Sequence, residues 1–131
     1  MVPKRLSTAC LQWYREMRQP ECIIILITAQ DAEEAENIAE LLLVQRMAAC
    51  VSIVPNVNSS FWWEGKIDKA RESLLIVKTE SIRLQEIIQS VKTVHSNTVP
   101  EIIALPIIGG NQDYLDWIDN EVSRAGKAEA E

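Results

Sequence analysis

An α+β sandwich, with helices on one face of a mostly antiparallel sheet and one long β-hairpin, is the fold class this 131-residue sequence predicts. Three observations carry it. Short β-branched runs alternate with segments whose apolar residues recur every three or four positions. Two of the strand-like runs flank a polar turn that contains Gly65. The elements follow one another as βα, ββ, αβ and a short final helix, an order that folds into two layers around one core. The length suits one such core and not two.

Taken in order, residues 1–20 stand apart as a basic extension that ends at Pro20. Within it Leu11, Tyr14, Met17 and Arg18 form a short helical stripe, too brief to be stable alone but able to dock on a neighbour. Cys22 to Thr28 is a continuous β-branched run, the mark of a buried central strand. Asp31 followed by Glu34 has capping-box spacing, and Ala35, Ile38, Ala39 and Leu42 share one face of the helix that follows. That helix ends near Gln45 to Met47, where Arg46 suits the negative end of the dipole.

Ala49 to Val57 is strand-like and broken at Pro55, which places a bend or an edge there. Phe61 to Lys66 resumes the strand. Gly65 through Lys69 then supplies a reversal, and Glu72 to Thr79 returns, so the two runs pair as a hairpin. Ser81 is the expected N-cap of a second helix, with Leu84, Ile87, Ile88 and Val91 on one face. Ile102 to Ile108 is the last strand, ending at Gly109-Gly110. Asn111, Asp113 and Asp116 open a third helix whose Tyr114, Trp117, Ile118 and Val122 share a face. Residues 123–131 form a polar tail. The arrangement is ferredoxin-like over residues 21–122, and a hairpin longer than its sheet leaves apolar surface for a symmetric oligomer to bury.

The net charge of −6 hides an asymmetry. Lys4, Arg5, Arg15 and Arg18 against Glu16 give the first twenty residues +3, which leaves −9 for the body. An acidic body repels nucleic-acid phosphates and attracts cations, so no nucleic-acid partner is expected. The longest apolar run, Cys22 to Ala29, is far below the ~20 residues that span a bilayer, and no membrane association is expected. Three cysteines, Cys10, Cys22 and Cys50, form no C-x-x-C pair and point to the cytoplasm rather than to a disulfide framework.

No catalytic motif is present: H-E-x-x-H, G-x-S-x-G, a P-loop and G-x-G-x-x-G are all missing, and an enzyme is not expected. His95, the only histidine, is either a metal ligand, helped by Glu101 six residues on, or a polar residue closing the second helix. Cys50 is either a thiolate ligand or a small buried hydrophobe. Lys66 and Lys78 end apolar strands, and with Glu64 and Thr79 they either line an anion-holding cleft between subunits or form intersubunit ion pairs. Trp62, Trp63, Tyr114 and Trp117 would wall that cleft or pack at an interface.

Several short stretches, in order and at fixed spacing, resemble the CutA divalent-cation-tolerance family. They are Thr28-Ala29 with Asp31, Ala48-Ala49-Cys50-Val51, Trp63-Glu64-Gly65-Lys66, Lys78-Thr79, His95 with Pro100-Glu101-Ile102, and Tyr114-Leu115 with Trp117. The resemblance spans roughly residues 22 to 122. It implies a homotrimer with its sheets packed about a three-fold axis, a role in divalent metal tolerance, copper as the metal in question, and no obligatory cofactor. It also leaves room for an unidentified protein partner. Family members discussed as copper binders carry a cysteine late in the first strand and two adjacent histidines in the loop of His95. Here those positions read Ile27 and Val94-His95, so copper binding by one chain is expected to be weak. A second reading takes the similarity of this architecture to PII-type regulators, whose trimer clefts bind small effectors; it is favoured if Lys66, Lys78 and Thr79 converge on one cleft.

Overall fold

The computed structural model describes residues 7–18 and 22–123. Four helices and four strands follow in chain order: α1 Thr8–Arg18, β1 Cys22–Ala29, α2 Ala32–Val44, β2 Cys50–Trp63, β3 Lys66–Glu80, α3 Leu84–Val94, β4 Ile102–Pro106 and α4 Gln112–Ser123. The side chains of Tyr14, Met17 and Arg18, and the tail beyond residue 123, lie outside the described residues.

The strands form one sheet in the order β2-β3-β1-β4, every pairing antiparallel. β1 is an interior strand, paired with β3 on one edge and β4 on the other, and its side chains alternate between the closed core and the opposite, half-buried face. Alternation along the strands separates those faces. Ile23, Ile25, Ile27 and Ala29 of β1 and Leu75 and Val77 of β3 join Ile38 and Leu42 of α2 and Ile87 and Val91 of α3 in one closed core. Eight of these large side chains are wholly excluded from water, and burying each contributes roughly 1.5–3 kcal/mol.

α2 begins as its sequence indicates: Asp31 Oδ1 accepts the Glu34 N–H at 2.8 Å. Glu34 reaches back to the N–H of Gln30 rather than to that of Asp31, which widens the box by one residue. The C-terminus closes by a Schellman motif, with Met47 N–H donating to Leu42 O, Arg46 N–H donating to Leu43 O, and Arg46 in the left-handed region at φ 54. The side chain of Arg46 does not serve its own helix. It crosses to α4, where Nη1 meets Glu121 Oε2 at 2.9 Å and the Glu121 carbonyl at 3.2 Å.

The hairpin differs from its sequence reading in where it turns. Lys66 to Lys69 belong to β3, and the reversal is the two residues Glu64 and Gly65, both at positive φ, between the facing pair Trp63 and Lys66. Two consecutive left-handed residues make a type I′ turn, whose twist matches that of the strands it joins. Near the middle, Val54 faces Leu74 and Val57 faces Glu72, so Pro55 and Asn56 together oppose Ser73. This is a β-bulge, with Asn56 at φ 59, and it explains how a proline sits inside a long strand.

Two further expectations are corrected. Ser81 opens a single 3-10 turn, Ser81–Arg83, and makes no side-chain cap to α3. The last strand stops at Pro106, leaving Ile108 99% exposed beyond it.

α2 and α3 cover one face of the sheet, whereas α4 lies against the other at the end of β1, where Cys22 Sγ meets the Leu115 carbonyl at 3.9 Å. The helices therefore do not all share one side. Buried Ile118 and Val122 anchor α4, and Arg83 Nη2 donates to the Val122 carbonyl at 2.7 Å.

Candidate functional site

His95 occupies the first residue after α3, held by its N–H on the Val91 carbonyl. Its ring is fully buried and both nitrogens are engaged. Nδ1 accepts the N–H of Asn97 at 3.0 Å; a backbone amide only donates, so Nδ1 carries no proton. The proton sits on Nε2, which donates to the Thr28 carbonyl at 2.7 Å. The histidine thus ties the loop after α3 to the end of β1.

Glu34 completes this node. Its carboxylate accepts from Ser96 twice, at Oε2 from the N–H at 2.9 Å and at Oε1 from the hydroxyl at 3.0 Å, and lies 3.7 Å from His95 Nε2. Burial pushes the Glu34 carboxyl up, but the donors from Gln30 and Ser96 and the neighbouring His95 outweigh it, and the net direction is down.

These contacts decide what His95 can do as a ligand. A metal at either nitrogen would displace the Asn97 or the Thr28 contact. Glu101 is exposed on the loop before β4. Among the described residues, no group of three or more His, Cys, Asp or Glu side chains is placed to hold a metal ion.

A second cluster sits on the sheet face beside α4. Cys50 and Lys78 face each other across β2 and β3, with Lys78 Nζ 3.8 Å from Cys50 Sγ and 2.7 Å from Ser52 Oγ. Tyr114 of α4 adjoins Cys50; burial and then this thiol push its phenol up. The Tyr114 and Trp117 rings stand 5.4 Å apart and tilted, forming an aromatic wall that is half open to solvent. Sequence spacing pointed to Lys78, Tyr114 and Trp117 but missed Ser52, which only the strand register brings to Lys78.

The remaining cleft candidates do not join this cluster within one chain. Thr79 is adjacent to Lys78 and so points to the opposite face, where it is buried and donates to the Met47 carbonyl. Lys66 lies twelve residues from Lys78 along β3, about 40 Å at strand rise. Trp63 and Glu64 are at that distant turn with it.

Between the two ends runs a stripe of half-buried and exposed apolar side chains. Ile24 and Leu26 of β1, Leu74 and Ile76 of β3, Val54 of β2, and Ile103 and Leu105 of β4 all lie on the face away from α2 and α3. Past the bulge the same face carries Val57, Phe61 and Trp63 beside the charged Glu72, Asp68 and Lys66. The apolar part of the face is thus the segment from Ile24 and Leu26 to Ile103 and Leu105.

A four-stranded antiparallel sheet in the order β2-β3-β1-β4, with α2 and α3 on one face and a long hairpin, defines an α+β sandwich of the ferredoxin-like class. The family model for the CutA1 divalent ion tolerance protein matches residues 23–121, and the chain belongs to that family. It is similar to the divalent-cation tolerance protein CutA of Archaeoglobus fulgidus, 52% identical over 98 residues that cover 75% of this chain and 95% of that protein. The Thermus thermophilus protein of the same name is 45% identical over 72% of this chain and 92% of its own. A chloroplastic rice CutA 1 is 43% identical over 75% of this chain, a match that spans 55% of the rice protein. Among solved structures, the A. fulgidus protein superimposes with a TM-score of 0.75 at 50% identity over 77% of this chain and 98% of its own. The CutA1 of Oryza sativa gives 0.76 at 41% identity, over 79% and 94%.

Proposed function

We propose that the protein acts in divalent-cation tolerance as a non-enzymatic homotrimer, assembled through the bare face of its sheet. The observation that carries this reading is the apolar stripe from Ile24 and Leu26 across Leu74 and Ile76 to Ile103 and Leu105, which a second and third copy would cover. The relatives' names supply the physiological setting, divalent ions.

Copper binding in this reading is weak and does not use a preformed site. The buried His95, with both nitrogens engaged, gives a copper ion no free ligand to start from. Isothermal titration with copper, zinc and cadmium tests this: shallow, non-saturating heats are expected, and stoichiometric submicromolar copper binding lost on His95→Ala would overturn it. Growth of cells lacking the protein under copper excess tests the tolerance role itself.

The alternative of a PII-like trimer holding a small effector draws support from one observation, the Lys78, Ser52, Cys50 and Tyr114 cluster beside Trp117. It offers a cation, a hydroxyl and an aromatic wall, the fittings of an anion pocket. Lys66 would enter such a pocket only from a neighbouring subunit. A thermal-shift screen against nucleotides and small carboxylates, repeated with Lys78→Ala, separates the two readings.

A further inference from the structure

On the face of the sheet that α2 and α3 leave open, β3 presents Lys78, Ile76, Leu74 and Glu72 in turn, since alternate residues of a strand share a face. An ammonium and a carboxylate thus bracket an apolar pair. Both are half-buried in the single chain. Neither has an oppositely charged partner among the described residues, whose ion pairs join Arg46 to Glu121, Arg83 to Glu86 and His95 to Glu34. The two cannot reach each other, because six residues of strand separate them by about 20 Å.

Lys78 is also incompletely satisfied. Its Nζ lies 2.7 Å from Ser52 Oγ and 3.8 Å from Cys50 Sγ, so one of its three ammonium donors has no acceptor among the described residues. Ser52 faces Ile76, and Nζ therefore turns along the strand away from Glu80, two residues on at the strand end. At the other end of the apolar pair, Glu72 is the carboxylate next to Leu74. Asp68 lies further out on the hairpin, exposed, with Oδ1 accepting the N–H of Lys69.

Covering Leu74 and Ile76 with a second copy takes both charges out of water. A charge buried without a counter-charge is strongly destabilising, whereas a paired one is tolerated. Since the charges stand at opposite ends of the apolar pair, a copy laid across it satisfies them by bringing its Glu72 end to the Lys78 end of its neighbour. Each chain then gives one cation and one carboxylate, a contact that repeats from copy to copy and closes into a ring when the rotation allows.

We propose that Lys78 pairs with Glu72 of the partner subunit across the bare face of the sheet, so that the neighbouring copy supplies the anion that the Lys78, Ser52 and Cys50 cluster lacks. The inference rests on the assembly proposed above and gives its interface a direction and a register. It assigns the third donor of Lys78 to a carboxylate of the protein rather than to a small effector.

Light scattering of the full chain is compared for the parent, Lys78→Glu, Glu72→Lys and the chain carrying both reversals. Each single reversal sets like charges together and should lower the mass toward that of one chain. The double reversal restores opposite charges and should recover the parent mass. A trimer that survives either single reversal overturns the pairing, as does a double reversal that stays at single-chain mass while circular dichroism shows it folded. A parent that is itself a single chain removes the assembly and the pairing with it, whereas unaffected reversals of a trimeric parent remove the pairing alone. Should a reversal fail to fold, the neutral variants Lys78→Met and Glu72→Gln carry the test. Each should promote dissociation on dilution several-fold, and the two together should cost less than the sum of their separate effects. Strictly additive losses overturn the proposal.

Discussion

His95 donates from Nε2 to the Thr28 carbonyl at 2.7 Å, so the single histidine of this chain acts as a pin between the loop after α3 and the end of β1. Removing the ring takes its donor from the part-buried Thr28 carbonyl, while the exposed Asn97 amide turns to water. His95→Ala should therefore lower unfolding stability by about 1–3 kcal/mol, chiefly the cost of the unpaired carbonyl. Denaturant unfolding measures it. A variant as stable as the parent would show the ring to be dispensable to the fold.

Glu34 gives the fold an acid dependence. Its folded-state carboxyl lies below the ordinary value of 4.5, so its contribution to stability is complete above that value and is lost as pH falls through the folded one. Unfolding followed down the acid range should show a loss that Glu34→Gln removes while lowering stability near neutrality. An unchanged acid limb in that variant would contradict the assignment.

The C-terminus of α4 is held by two guanidinium groups, Arg46 on Glu121 and Arg83 on the Val122 carbonyl. Arg83 is the less exposed of the two, and the Arg46 pair is open enough for solvent to weaken it. Arg83→Ala should cost about 1–2 kcal/mol and Arg46→Ala less. Hydrogen exchange should quicken across the last turn of α4 in both.

At the hairpin tip Glu64 sits at φ 49, a conformation that asparagine and glycine adopt more easily than glutamate. Glu64→Asn should stabilise the chain by a few tenths to about 1 kcal/mol. Gly65→Val should destabilise it by about 1–2 kcal/mol through the strained backbone alone, since a Cβ there meets nothing within 4 Å. Thermal unfolding of the pair reads both signs.

Much of this architecture was legible because it depends on local patterns. The β-branched run of β1, the Asp31 cap and the Ile87 and Val91 stripe each require only nearby residues to interpret. What was not legible depends on register and on distant partners. Thr79 reads as a companion of Lys78 until strand alternation sends the two to opposite faces. Arg46 reads as a cap for α2, yet a left-handed residue at its own position turns the side chain toward α4, 75 residues away in the chain. The placement of α4 on the other face of the sheet follows from the Cys22 and Cys50 contacts, which no periodicity within α4 encodes.

Static light scattering of the purified chain, alone and as Leu26→Asp, tests the central claim most directly. Leu26 faces Ile76 and Ile103 in the middle of the bare sheet face, and a carboxylate buried there by a partner would go unpaired. The account predicts a mass three times the 14.8 kDa of one chain, falling toward the single-chain value in the variant. A parent protein at 14.8 kDa, or a variant that remains a trimer, would contradict assembly through this face.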